Sequence, residues 1–442
     1  MQGKLQNGIY YLDTPTIGNS CHIILIRVGV GSNATEIGEG LVKLWTMLKN
    51  LEKGIVNDLS GVNKRHLHPG NLTTLIGYGP SLFLMDNVKR KKPFELNEVF
   101  FKLPNLDGGG SIVEDSAIVY SKDVVTNDTQ SQHIIIQFIG DDEFITGRAS
   151  FETWKLLSRL KNSKGNDSLY IKSVFTGFQR DDGRNWFGFH DGVSNLPSKD
   201  RLQVMSIAKK DVTQEDMWTI NGTYMAFLRI EFDINEWIKL KETEQSIIIG
   251  RDKITGCPLI GVDKNKQPIK DNRCPIRGTF EVIEKGNEIF REHAPFGKQM
   301  YLPREFSDNL LQKSHIGTVN PTDEQSNRAN AYRIYRQGFE FLEPTGSYPG
   351  LRVGLNFISF QRSPKRLSNM LKHRSTPNTQ TERSGVPSFD TFFSVRNAGI
   401  FLIPPLVMSE PFPGASIFLD EISIAKINKS GLNYTSKMGR QY

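Results

Sequence analysis

The chain has 442 residues, 38% hydrophobic and 23% charged, with a formal net charge of +7. Such a composition builds a substantial core without cross-links, excludes disorder as the main state, and makes two large domains or three smaller ones the expected division. Three cysteines with no CxxC or CxxCH spacing exclude a disulfide scaffold, a cysteine zinc knuckle and covalent c-type haem attachment, and the odd count fits a reducing compartment.

The opening residues, MQGKLQNGIYYLDTPTIGNS, have glycines and polar side chains where a signal peptide needs an apolar run, and nowhere do 18 apolar residues follow one another. A soluble, cytoplasmic protein with no membrane contact is the expectation. The basic clusters KRH at 64–66 and KRKK at 89–92 carry no interleaved aromatic ladder, so they read as solvated turns, and no nucleic-acid partner is expected.

In chain order, residues 22–28 (HIILIRV) read as a domain-opening strand. A Gly-rich turn follows at 108–110, then a strand at 133–138 and a helix over 151–160. The segment RDDGRNWFGFHDGVSNLP is dense in turn formers, and the polar, Pro-punctuated residues 196–213 after it read as the junction of two halves. Residues 224–230 (YMAFLRI) then repeat the first strand at an offset of 202, and a strand at 354–360 precedes a helix at 364–371, as in the first half. An internal duplication is the implied organisation. Residues 375–387 read as a surface insertion, the apolar run 400–406 as a buried strand stopped by two prolines, and the tail from Lys426 as aperiodic.

Four groups of residues are candidates for chemistry. Gly188, Phe189, His190, Asp191 and Gly192 form a tight turn able to bring the backbone close to a flat ligand and present one carboxylate, but Pro197 follows too soon for a dinucleotide-binding helix. His315 is one of eight histidines; none has zinc-site spacing, but a single imidazole suffices as an axial ligand of haem iron. Arg333 and Arg336 lie in YRIYRQG, where Gly338 reads as the end of the segment and a fixed guanidinium would suit a peroxide pocket. The run at 400–406 could line such a pocket. For each group the bland alternative is a turn, a lone histidine, a solvated arginine pair or a core strand.

Taken together, FGFHDGVSN (187–195), LQNGIYY (5–11), NLTTLIGYGPSLF (71–83), GTYMAFLRI (222–230), GRDKITGCPL (250–259), HIGTVNP (315–321), YRIYRQG (332–338), GLNFISFQ (354–361) and GIFLIPP (399–405) resemble, in order and spacing, the dye-decolourising peroxidase family and its GxxDG signature. The resemblance implies an α+β fold of two ferredoxin-like domains, antiparallel sheets with packed helices, divided as residues 1–210 and 211–442. It implies non-covalent haem b, His315 as the iron ligand, Asp191 and Arg336 as distal catalytic residues, Gly188, Phe189, Gly192 and Asn195 as cofactor-binding residues, and Asp390 as the acidic partner of the proximal imidazole. Hydrogen peroxide and small organic reducing substrates are the implied partners, with a homo-oligomer left open. The sequence departs from the family at Gly317, where an arginine usually approaches a haem propionate, and in its Cys274–Pro275, which ends 40 residues upstream of His315, so that His293 is the reserve ligand. A haem-handling protein that removes iron, with incidental peroxidase turnover, is the alternative activity.

Overall fold

The computed structural model describes residues 3–56, 67–97, 133–180, 182–190, 195–196, 198–265, 267–270, 311, 314–319, 333–346, 350–374 and 387–430. The strands are β1 (Ser20–Val28), β2 (Thr73–Tyr78), β3 (Ile134–Gly140), β4 (Leu169–Phe178), β5 (Thr223–Phe232), β6 (Leu259–Val262), β7 (Pro268–Lys270), β8 (Tyr335–Pro344), β9 (Leu351–Gln361) and β10 (Phe393–Ile403). The helices are α1 (Ala34–Leu51), α2 (Glu143–Arg159), α3 (Ser198–Met205), α4 (Ile234–Trp237), α5 (Glu242–Ile249), α6 (His315–Val319), α7 (Lys365–Arg374) and α8 (Glu421–Lys429).

Eight strands close into one antiparallel barrel in the order β1-β3-β2-β10-β5-β9-β8-β4. Within it two four-stranded sheets share a topology: β4-β1-β3-β2 and β10-β5-β9-β8 both run fourth, first, third, second in their own chain order, as in a ferredoxin-like unit. The seams are narrow, Leu402 opposite Tyr78 and Phe178 opposite Glu340. Strand alternation divides the apolar residues between two cores. One set fills the barrel, including Ile23, Leu25, Met225, Phe227, Tyr335, Phe339, Ile358 and Phe360. The other faces outward under the helices, including Ile24, Ile26, Ile136, Ala226, Leu228 and Ile400.

Helix α1 starts where Asn33 accepts from the Glu36 amide and Glu36 returns the bond to the Asn33 amide, each at 3.0 Å. It buries Ile37, Leu41, Leu44, Trp45 and Leu48 on its inner face, which closes the outer side of the first sheet together with α2.

Three sequence expectations are corrected. Gly338 does not end its segment but lies inside β8, held by pairing with Phe357. The polar junction carries α3, and Leu196, Val204 and Met205 are buried in the barrel core. Lys426 to Lys429 continue α8, whose N-cap Asp420 accepts from the Ser423 amide, and the rest of the tail from 431 lies outside the described residues. Of the cysteines, Cys21 is free and buried, whereas Cys257 is disulfide-bonded. Of the insertion read at 375–387, residues 375–386 lie outside the described residues, as do the glycines at 108–110.

Candidate active site

Arg336 stands on the outer face of the second sheet, in a row that crosses all four strands: Ile400, Ala226, Ser359, Arg336. The next outer row is Ala398, Leu228, Phe357 and Gly338. Phe357, Ile230 and Phe232 on this face are half-buried apolar side chains. Asn195 fixes Arg336 from the side. Its Nδ2 donates to the Arg336 carbonyl at 2.7 Å, and its Oδ1 accepts from the Arg336 amide at 3.2 Å. Those main-chain groups lie near the start of β8, ahead of the single pair that joins β8 to β4, so the carboxamide replaces a neighbouring strand.

The loop before Asp191 is closely built. Asn185 and Phe189 are tied by two bonds, the Gly188 amide donates to the Asn185 carbonyl, and Arg184 bridges His190. Gly188 has φ +87°, and a Cβ there would sit 2.7 Å from Lys253 Cε, so its glycine requirement comes from the backbone and from Lys253. Phe187 and Phe189 are buried in an aromatic cluster with Trp237 and Phe392. Asp191 and Gly192 lie outside the described residues, as does His293.

His315 opens α6. Ser314, just before it, donates to the Leu311 carbonyl and accepts from the Gly317 amide. Gly250, at φ +86° after α5, lets Ser314 approach: a Cβ there would lie 2.4 Å from Ser314 Oγ. The His315 ring lies 4.8 Å from that of Phe389, which is 5.3 Å from Phe187 and 5.4 Å from Phe393 at the start of β10. Phe187 packs at 4.3 Å on Phe232 of the outer face. The 184–190 loop, the His315 helix and the outer face therefore meet through one aromatic cluster. Asp390 is the residue after Phe389, in the 3-10 turn Phe389–Phe392 that leads into β10.

Arg251, beside Gly250, is buried and bonds the Gly256 carbonyl. Burial lowers its pKa to about 10, and the neighbouring charge of Arg336 adds to the effect. The sequence had no signal for this second guanidinium beyond its place in GRDKITGCPL. Of the other sequence candidates, Arg333 pairs with Asp200 at 3.9 Å and Tyr335 points into the barrel, so neither shares the face of Arg336.

A family model described as Dyp-type peroxidase, C-terminal, matches residues 182–408, about half of the chain. The chain belongs to the DyP-type peroxidase family. A deferrochelatase from Escherichia coli (strain K12) is 28% identical over 308 residues, 68% of this chain and 60% of that protein. One from Shigella flexneri is 41% identical over 178 residues, 40% of this chain and 34% of the relative. The alignment with the first of these curated relatives thus spans 60% of their length. The DyP-type peroxidase from Cellulomonas bogoriensis superposes with a TM-score of 0.65 at 17% identity, covering 95% of this chain and 97% of that one. Ferric DtpA from Streptomyces lividans gives 0.62 at 18%, covering 92% and 93%.

The cofactor of this DyP-type chain is non-covalent haem b. The residues present fit it. The outer face of the second sheet offers apolar side chains to a flat ring, an imidazole adjoins that face through Phe389, and a guanidinium stands on it. Cys21, the free cysteine among the described residues, is in the barrel interior, away from any attachment point on that face.

Proposed function

We propose that this chain is a haem-dependent peroxidase that reduces hydrogen peroxide and draws electrons one at a time from dyes, phenols or other small organic donors. The haem supplies the oxidising chemistry; the residues supply ligation, charge and proton traffic. His315 gives the imidazole nitrogen to the iron, and Asp390, one residue from the ring that packs on His315, is its acidic partner. Asp191 takes the first proton of the peroxide and returns one to the departing oxygen, while Arg336 holds a permanent positive charge where negative charge develops as the O–O bond breaks. Gly188 and Phe189 shape the loop, and Gly192 is a cofactor-binding residue with them in this reading.

The observation that carries this reading is the pair of hydrogen bonds between the Asn195 carboxamide and the Arg336 main chain, because it joins the segment four residues after Asp191 to the strand that bears the guanidinium. In this reading Asn195 is a positioning residue more than a cofactor contact. Residues 1–210 and 211–442 serve as the two domains, the first supplying the distal loop and the second the face on which the haem lies.

The test is rapid mixing of the haem-loaded protein with peroxide from acid to neutral pH. Asp191→Asn should slow the first spectral change and remove a low-pH ionisation from its rate profile. Arg336→Leu should slow it with that ionisation retained. Full rate in both variants refutes the assignment. The name of the curated relatives, deferrochelatase, favours one second reading, release of iron from haem. Appearance of free iron and metal-free porphyrin under reducing conditions without peroxide would select it.

A further inference from the structure

The loop that leads to Asp191 is clamped by one side chain. Both terminal nitrogens of Arg184 are fully engaged. One donates to the carbonyls of Gly188 at 2.7 Å and Lys253 at 2.8 Å. The other donates to His190 Nε2 at 2.9 Å and the Ile254 carbonyl at 2.9 Å. Two of these acceptors belong to its own loop and two to the turn between Arg251 and Cys257. His190 Nε2 also lies 3.1 Å from the Ile254 carbonyl, so the Arg184 guanidinium, the His190 ring and that carbonyl form one polar triangle.

Arg184 itself is held at its base, its amide donating to Asp182 Oδ1 at 3.0 Å, and that carboxylate also receives the Arg180 guanidinium. The far side of the clamp is equally fixed. Lys253 donates to Gln245 Oε1 at 2.5 Å, and Gln245 in turn bonds the Trp237 carbonyl at 3.0 Å. Only a planar fork reaches four acceptors lying on two segments at once; a lysine ammonium is a point charge with three donors and no such geometry.

We propose that Arg184 is the positioning residue of the distal loop, pinning Gly188 and His190 to the 253–254 main chain and so fixing the chain up to the residue before Asp191. The proposal rests on the distal role given to Asp191 above. Misplacement of a reacting group by about 1 Å costs on the order of 100-fold in rate. Releasing the clamp should therefore slow the peroxide step by about 10- to 100-fold while the low-pH ionisation stays in the profile, because Asp191 is still present.

The experiment uses the haem-loaded full chain with Arg184→Met and Arg184→Lys, alongside Asp191→Asn. Two quantities are measured: hydrogen exchange of peptides covering 185–196 and 251–257, and the pH dependence of the reaction with peroxide. Both Arg184 variants are expected to exchange faster in those two peptides with α1 and the barrel strands unchanged. They should keep the ionisation, and leave KM for the reducing substrate unaltered. The lysine variant guards against a methionine variant that fails to fold. Faster exchange with an unchanged peroxide rate, while Asp191→Asn is crippled, overturns the positioning role. Unchanged exchange overturns the clamp. An Asp191→Asn variant with full rate refutes the distal reading itself, whatever Arg184 does.

Discussion

Replacing Asn195 by alanine removes a partner that serves two main-chain groups at once. The Arg336 amide and carbonyl lose their bonds of 3.2 and 2.7 Å, and the Leu196 amide loses the same Oδ1 at 3.0 Å. A polar group left without a partner in a part-buried setting costs about 1–3 kcal/mol. Arg336 lies on a strand whose neighbour β4 meets it only at Glu340, so no strand takes over there. Partial access of water to this edge keeps the sum near the lower end, about 2–4 kcal/mol in all. The same change frees the strand end that carries the guanidinium, and a shift of about 1 Å would slow the peroxide step on the order of 100-fold. Urea unfolding of Asn195→Ala should show a lower midpoint at unchanged slope, and rapid mixing with peroxide should show the slower step. Asn195→Asp should do no better, since it keeps the acceptor for the amide but sets a carboxylate against the Arg336 carbonyl. A variant with the parental midpoint and rate would refute the claim that this carboxamide positions the arginine.

His315→Ala should leave the purified protein with little haem, read by pyridine haemochromogen absorbance per chain, and acidified organic solvent should strip the haem from the parent; an unaltered spectrum in the variant would remove His315 as ligand. Gly250→Ala forces a left-handed backbone at φ +86° and a contact with Ser314, and should cost about 1–2 kcal/mol in urea unfolding together with weaker haem retention, which an unchanged midpoint would contradict. Burial holds His22 and His190 neutral down to about pH 4, with the charge of Arg184 adding to the effect at His190. The unfolded chain takes up those protons near pH 6.5, so stability should fall as pH drops from about 6.5 to 4, and His22→Asn with His190→Asn should flatten that part of a urea-midpoint profile.

The elements legible in the sequence were those with strong local periodicity. The strands at 22–28 and 224–230 and their offset of 202 emerged because runs of branched and aromatic residues read the same in any context. The duplication predicted from them matches the strand order shared by the two sheets. Closure of both into one barrel had no local signal, since each seam is a single residue pair. Gly338 misled because a glycine that ends a segment and one that sits in a strand interior look alike until the partner strand is known. At the site, His315, Arg336 and Asn195 could be named from motif order, but what they touch could not. The contact of His315 with Phe389 spans 74 positions and that of Asn195 with Arg336 spans 141, and such pairings are set by topology. Arg184, Arg251 and Phe389 were missed for that reason. Asn185 and Arg184 stand just ahead of FGFHDG, and that adjacency was the one available hint.

The second sheet, on which the proposed site lies, differs from the first at one row of residues. At the offset of 202, Ile24 corresponds to Ala226, and the registers extend the match across each sheet. The row Val174, Ile24, Ile136, Ile76 corresponds to Ile400, Ala226, Ser359, Arg336. In the first half three adjacent isoleucines fill that level and are covered by α1 and α2, so the face is spent on packing. In the second half the same three places hold a methyl, a hydroxymethyl and a guanidinium. Two large apolar side chains have been traded for small ones, which lowers the surface locally, and the third has become a fixed charge at its edge. Such a face has less of its own side-chain volume to fill the level, and a guanidinium at its edge favours polar or charged groups beside it. The first half contributes differently: its last segment, through Arg184, Phe187 and Asn195, crosses to this face and holds it. Restoring bulk at Ala226 is the direct check on this division. Ala226 is fully buried in the core under the helices, so Ala226→Ile should keep the strand pairing but overpack this level, lowering stability in urea by about 1–3 kcal/mol and haem content with it; an unchanged midpoint with normal haem binding would show that this level is not packed as described.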